Sequence, residues 1–389
     1  MKEIYLDNSA TTKISEQALA KYIEVSRECY GNPSSLHKMG YNAENILNSA
    51  REEIRASLGA RGCRVVFTAS GSEANNLAIV GRALSKERYR RGAKIITTAG
   101  EHASVNEPLG YLEGLGFTVV RIPTLGGKLD MSALECALGR DVILVSAMMV
   151  NNETGALYDI AGISRLIKAK SPEAYLHVDA TQSYLKLPFT KASLGADMIT
   201  ISSHKIEGPK GVGALVCDER VIKERGISPL ILGGGQEGGL RSGTENVPAI
   251  SAFGEAVRIG RAELRQRYEK MGALRAYLIE KINTSPALFQ ISLTLPENHA
   301  PQILNLTLPN IKSETMLHYL SSFGIYVSSG SACSSNSGHV SSALVAFGRS
   351  EEEADCSIRI SFSHRNEASD VDALCQALEM GLSKLARIR

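Results

Sequence analysis

Tyr175-Leu176-His177-Val178-Asp179-Ala180-Thr181-Gln182 and, further along, Met198-Ile199-Thr200-Ile201-Ser202-Ser203-His204-Lys205 share one pattern. Each is a five-residue apolar run, rich in branched side chains, that stops abruptly in polar residues, as buried strands do. The pattern extends in both directions. Upstream stand Arg64–Thr68, Lys94–Thr98, Thr118–Ile122 and residues 142–146, and downstream residues 212–217. Between them, residues 72–84 and Ile160–Lys170 space their apolar side chains at helical intervals. Strands alternating with helices predict crossovers in a largely parallel wound α/β sheet.

At 389 residues the chain exceeds one ordinary core, which predicts one large domain and a smaller companion. Past Gly233-Gly234-Gly235 and Pro248, a long helical pattern from about 250 to 282 leads into a second set of strands and helices. The composition, 43% hydrophobic and 22% charged, excludes a mostly disordered chain. A net charge of +2 gives no bulk attraction for nucleic acid or an acidic membrane, so neither partner is expected. The opening Met1-Lys2-Glu3-Ile4-Tyr5-Leu6-Asp7 forms no secretory h-region, and no apolar run approaches the roughly 18 residues of a span, which predicts a cytoplasmic protein. Seven scattered cysteines without a C-x-x-C pair argue against disulfides and structural zinc.

In wound sheets, ligands sit beyond the carboxyl ends of the strands. Here five strand ends carry chemistry: Ala69-Ser70-Gly71-Ser72-Glu73, Glu101-His102, Asn151-Asn152-Glu153-Thr154-Gly155, Asp179-Ala180-Thr181-Gln182 and Ser203-His204-Lys205. Taken singly, each has an ordinary reading: a turn, a helix cap, a satisfied histidine or a solvated lysine. Taken together they form a set. A helix N-terminus opening on Gly71 and Ser72 suits a phosphate. With a histidine, an acid and a lysine at neighbouring strand ends, the combination is what pyridoxal phosphate requires: an imine-forming lysine, an acid at the ring nitrogen, and donors to the phosphate and phenolic oxygens.

These residues resemble the class V aminotransferase-fold enzymes, specifically cysteine desulfurases of the NifS/IscS type. The resemblance runs nearly end to end, through Tyr5-Leu6-Asp7-Asn8-Ser9-Ala10-Thr11-Thr12, Gly31-Asn32-Pro33-Ser34-Ser35, Val150-Asn151-Asn152-Glu153, Gly208-Pro209-Lys210-Gly211, Arg241-Ser242-Gly243-Thr244, Ser328-Ser329-Gly330-Ser331-Ala332-Cys333 and Ser357-Ile358-Arg359-Ile360-Ser361. It implies the pyridoxal-phosphate-dependent transferase fold of type I. The expected large domain is residues 16–258; the expected small domain joins residues 1–15 to 259–389 and carries a cysteine loop near 328–342.

By the same resemblance Lys205 would form the imine and then act as base at the substrate Cα. Asp179 would hold the ring nitrogen protonated, His102 would stack on the ring, and Gln182 would donate to the phenolic oxygen. Gly71, Ser72, Ser202 and His204 match phosphate-binding positions, Thr244 the threonine that a partner subunit contributes, which implies a homodimer. Asn152 would contact cofactor and substrate. Arg359 would grip the substrate carboxylate with Asn32 assisting, although an arginine in such a strand also reads as a structural ion pair. Cys333 would take the sulfur of L-cysteine as a persulfide, release L-alanine, and pass the sulfur to an acceptor protein such as an iron–sulfur scaffold or a thiolation pathway. No metal site is expected beyond a transient iron–sulfur contact at Cys333. Three positions depart from the family pattern: Gly238, Glu207, and the Ser363-His364-Arg365-Asn366 ending. The alternative is another pyridoxal-phosphate lyase or aminotransferase of this fold, for example one acting on selenocysteine.

Overall fold

The computed structural model describes residues 3–85, 93–329 and 341–385. A two-residue strand, β1 (Ile4–Tyr5), precedes the central sheet. That sheet has seven strands: β2 (Arg64–Thr68), β3 (Lys94–Thr98), β4 (Thr118–Ile122), β5 (Val142–Met148), β6 (Tyr175–Asp179), β7 (Met198–Ser202) and β8 (Gly213–Cys217). Their order is β2-β8-β7-β6-β5-β3-β4, and β8 alone runs antiparallel to its neighbours. The strands lie where the apolar runs put them, with β5 extending two residues further to Met148.

Alternation sorts the sheet's side chains onto two faces. Val65 and Phe67 pack with the helices Glu16–Glu28, Lys38–Leu58 and the first half of Val247–Thr284, while Val66 joins Gly71–Leu84 and Ala103–Gly114 on the other face. β5 and β6 are buried on both faces and are mostly apolar, as interior parallel strands are. Gly213 shows how tightly the active edge is built. A Cβ there would sit 2.6 Å from the Ser70 carbonyl carbon and 2.8 Å from the Gly71 nitrogen, so only glycine lets β8 pass under the turn that opens the helix Gly71–Leu84.

A second core surrounds a four-stranded antiparallel sheet, made of β9 (Ser292–Thr294), β10 (Ile303–Thr307), β12 (Ser328–Ser329) and β13 (Ser357–Ser361), with β11 (Ile325–Tyr326) pairing to β1 instead. Leu304, Leu306, Ile358 and Ile360 pack against Leu374 and Leu378 of the helix Ala368–Lys384. The helix Val247–Thr284, capped by the Asn246 side chain, gives Val247–Val257 side chains to the first core and Met271, Leu274, Leu278 and Ile282 to the second. Ile4 and Leu6 also lie in the second core, while Ser9 and Thr12 hydrogen-bond Gln182 and His204, so the N-terminal segment crosses from that core to the carboxyl edge of the central sheet.

Candidate active site

The carboxyl ends of β2, β3, β5, β6 and β7 open on one cleft of about 360 Å³, and Ser328, Ser329 and Arg359 of the second core close its far side. Asp179, the last residue of β6, is buried and accepts from Asn75 Nδ2 at 2.8 Å and from the Thr181 backbone N–H at 2.9 Å. Asn75 also donates to Ser104 Oγ at 2.9 Å, and that hydroxyl meets His102 Nδ1 at 2.8 Å. The Ser104 backbone N–H donates to the same Nδ1 at 3.1 Å, which makes Nδ1 an acceptor and leaves the ring proton on Nε2. Burial holds the His102 pKa below its usual value, so the ring is neutral at physiological pH. One polar chain therefore fixes both the acid and the histidine.

At the end of β7, Ser202 Oγ is buried without a hydrogen-bond partner among the described residues. A Cβ added at Gly71 would stand 3.2 Å from the Ser202 Cβ, so the helix N-terminus and the end of β7 form a narrow cradle. The Ser70 side chain caps the helix by accepting from Glu73 N–H at 3.1 Å, and the Gly71 and Ser72 N–H groups are first-turn donors beside the cleft. His204 Nδ1 lies 3.1 Å from Thr11 Oγ1, and burial lowers its pKa to about 4.

Lys205 follows β7 in a short turn, and its Nζ donates to the carbonyls of Ser9 at 2.5 Å and Ala10 at 2.8 Å. Gln182 Nε2 donates to the same Ser9 carbonyl at 2.9 Å, while its Oε1 accepts from the buried Lys186 at 3.3 Å. Burial, then Lys205 and Arg359, lowers the Lys186 pKa to about 7. On the far wall Arg359 donates from one terminal nitrogen to the Asn152 carbonyl at 2.9 Å and from the other to Asp7 Oδ1 at 2.8 Å. Its buried Nε has no hydrogen-bond partner among the described residues. The ion pair that the sequence left open is thus present, and it still leaves guanidinium donors in the cleft wall. Glu153, also lining the cleft, is raised to about 7 by burial and accepts from Ser341 Oγ.

Most of the residues singled out in the sequence come together here: Gly71, Ser72, His102, Asn152, Asp179, Gln182, Ser202, His204, Lys205 and Arg359 all line the cleft. Asn32 and Thr244 do not. Both are exposed, and Asn32 Oδ1 accepts from the Ser34 N–H at 2.9 Å in a local turn. Cys333 lies outside the described residues. Sequence reasoning missed Asn75, Ser104 and the Ser9 and Ala10 carbonyls. Asn75 stands one helical turn past Gly71, a spacing that could have found it.

These groups fit pyridoxal phosphate. The orphaned Ser202 hydroxyl and the helix N-terminus supply phosphate donors, Asp179 a buried carboxylate for the ring nitrogen, and Lys205 an amine at the same cleft. Comparison with known proteins agrees. The family model of class V aminotransferases matches residues 4–374. The cysteine desulfurase IscS of Dictyoglomus turgidum is 36% identical over 389 residues, covering 100% of this chain and 96% of that protein. A solved structure of a NifS-like protein matches with a TM-score of 0.91 at 35% identity, covering 99% of this chain and 100% of that one. Another, of SspA in complex with cysteine, matches with a TM-score of 0.79 at 32% identity, covering 93% and 99%. A sheet, a cleft and a full-length likeness that all coincide place this chain in the class V aminotransferase family, as a pyridoxal-phosphate-dependent enzyme of its cysteine desulfurase branch.

Proposed function

We propose that the chain transfers the sulfur of L-cysteine to Cys333: the substrate C–S bond breaks, an S–S bond forms on the Cys333 thiolate, and L-alanine leaves, so that one thiol becomes one persulfide and no other oxidant is needed. Pyridoxal phosphate, when bound, supplies an electron sink for the carbanion at the substrate Cα. Gly71, Ser72, Ser202 and His204 hold its phosphate, and Asp179 keeps a proton on the ring nitrogen. Thr244 of a second copy completes the phosphate site in a homodimer. Neutral His102 stacks on the ring, and Gln182 donates to the phenolic oxygen from the amide orientation that Lys186 fixes. Lys205 anchors the cofactor and then moves the proton at Cα, for which its amine must be deprotonated. Arg359 takes the substrate carboxylate beside Asp7, while Asn152, with Asn32, contacts the rest of the amino-acid head.

The observation that carries this reading is the convergence of Asp179, Lys205 and Arg359 on a cleft that described residues on either side of Cys333 also reach. Ser329 lines the cleft on one side of that residue, and Ser341 on the other side bonds Glu153 in the cleft wall. The likeness to a protein solved with cysteine bound supports L-cysteine as substrate. The persulfide then passes to a sulfur-acceptor protein. We further propose that the two cores correspond to domains of residues 16–258 and of 1–15 with 259–389, a division that falls inside the helix Val247–Thr284. Among the described residues no helix is long and apolar enough to cross a membrane, in keeping with a cytoplasmic setting. The test is to incubate the purified holoenzyme with L-cysteine and a thiol reductant and to quantify L-alanine and sulfide. Equal amounts of both are expected; a transaminase would give neither.

A further inference from the structure

Two departures from the family pattern, Glu207 and the Ser363-His364-Arg365-Asn366 ending, meet in space. Glu207 stands two residues past Lys205 with φ +66, a left-handed backbone that non-glycine residues rarely adopt. Its N–H donates to Thr12 Oγ1 at 2.8 Å, and its carbonyl accepts from the Ser15 N–H at 2.9 Å. The carboxylate is buried, its side chain 7% exposed; it accepts from Arg365 Nε at 2.5 Å and is ion-paired with an Arg267 terminal nitrogen at 3.1 Å. His364 Nε2 lies 3.8 Å away. Arg267 belongs to the helix shared by the two cores. Arg365 lies four residues past the end of β13, the strand that carries Arg359. A buried carboxylate persists only when paired and hydrogen-bonded, and here both of its guanidinium partners come from outside the central sheet.

We propose that Glu207 is a positioning residue: through Arg365 and Arg267 it fixes the Lys205 turn against the strand of Arg359, so that an α-amino acid gripped by its carboxylate presents Cα to the Lys205 amine. The role rests on the proposed desulfuration. The N-terminal segment links the same two walls through Asp7, Ser9 and Thr12, so loss of the Glu207 contact weakens the alignment without abolishing it.

The experiment uses the holoenzyme in four forms: wild type, Arg365→Ala, Arg365→Lys and Arg365→Ala with Glu207→Gln. Arg365 is 42% exposed, and its replacement leaves Glu207 paired with Arg267. Two constants are read: KM for L-cysteine, and the dissociation constant of L-alanine from titration of the cofactor absorbance, which involves no turnover. Arg365→Ala should raise both about tenfold, with bound cofactor unchanged and kcat less affected. Arg365→Lys should recover most of the loss, and the double variant should be no better than Arg365→Ala because it also removes the Arg267 ion pair. Unchanged constants in Arg365→Ala, or a lowered melting temperature as its only effect, would overturn the positioning role alone. A wild type that forms no L-alanine from L-cysteine would instead overturn the desulfuration reading beneath it.

Discussion

The two walls of the cleft are built by different means. The floor is a row of strand ends: Asp179, Ser202 and Lys205 are set by β6 and β7, whose residues are hydrogen-bonded and buried on both faces. The far wall is assembled from segments far apart in sequence. Arg359 meets Asp7 and Asn152, Ser361 meets Asn8 and Ser9, and Arg365 meets Glu207. Backbone ladders fix the floor and polar side chains tie the wall to it. Changes in the floor should therefore remove chemistry, and changes in the wall should alter substrate grip.

The comparison is tested most severely at Lys205. Lys205→Ala should lower L-alanine formation by at least about 10³-fold and let the cofactor be lost on dialysis, read by absorbance. Asp179→Asn keeps the shape and removes the charge; it should cost about 10²–10³-fold in kcat with KM nearly unchanged, the mark of an interaction realised at the reacting centre. A rise in KM alone would erase the distinction between the walls. Arg359→Lys, on the far wall, should reverse the pattern: KM for L-cysteine should rise by about 10–100-fold, with a smaller fall in kcat, because an ammonium cannot replace a planar fork.

The smallest effect concerns stability. Glu101, buried beneath the floor, accepts on Oε1 from Thr98 and the Met148 N–H, while Oε2 has no partner among the described residues. Burial raises its pKa from 4.5 to about 8. The folded chain thus holds a proton that the unfolded chain releases near 4.5, and stability falls as pH rises until the folded group ionises at about 8. His102 and His177 act in the opposite sense below about 6.5, where the unfolded chain takes up their protons, and Lys186, held at about 7 in the fold, does so from there upward, so the Glu101 contribution is read as the difference between wild type and variant. Glu101→Gln should therefore flatten the loss between pH 6.5 and 8 by about 1–2 kcal/mol, read by denaturant titration at each pH. An unchanged slope would mean that Glu101 is ionised in the fold.

What the sequence made legible follows the same division. The strands of the floor are short, branched and bounded by polar residues, so Asp179, His102 and Lys205 could be named with their neighbours. The contacts of the wall carry no such signature. The acceptors of Lys205 are backbone carbonyls at Ser9 and Ala10, which any residue type could supply. Glu207 read only as a departure until Arg365 was found beside it, 158 residues away. Lys186, in the run Ser183-Tyr184-Leu185-Lys186-Leu187, gave no sign that it would be buried against Gln182. Asn32 and Thr244 were legible only by resemblance, and this chain does not bring them into its own cleft.

The most direct test is a single turnover of the holoenzyme with L-cysteine and no reductant, followed by alkylation and mass analysis of the peptide that contains Cys333. One L-alanine per active site, with one added sulfur atom on Cys333 and none on the other six cysteines, is the expected result. L-alanine formed without sulfur on that peptide, or undiminished turnover by Cys333→Ser, would contradict it.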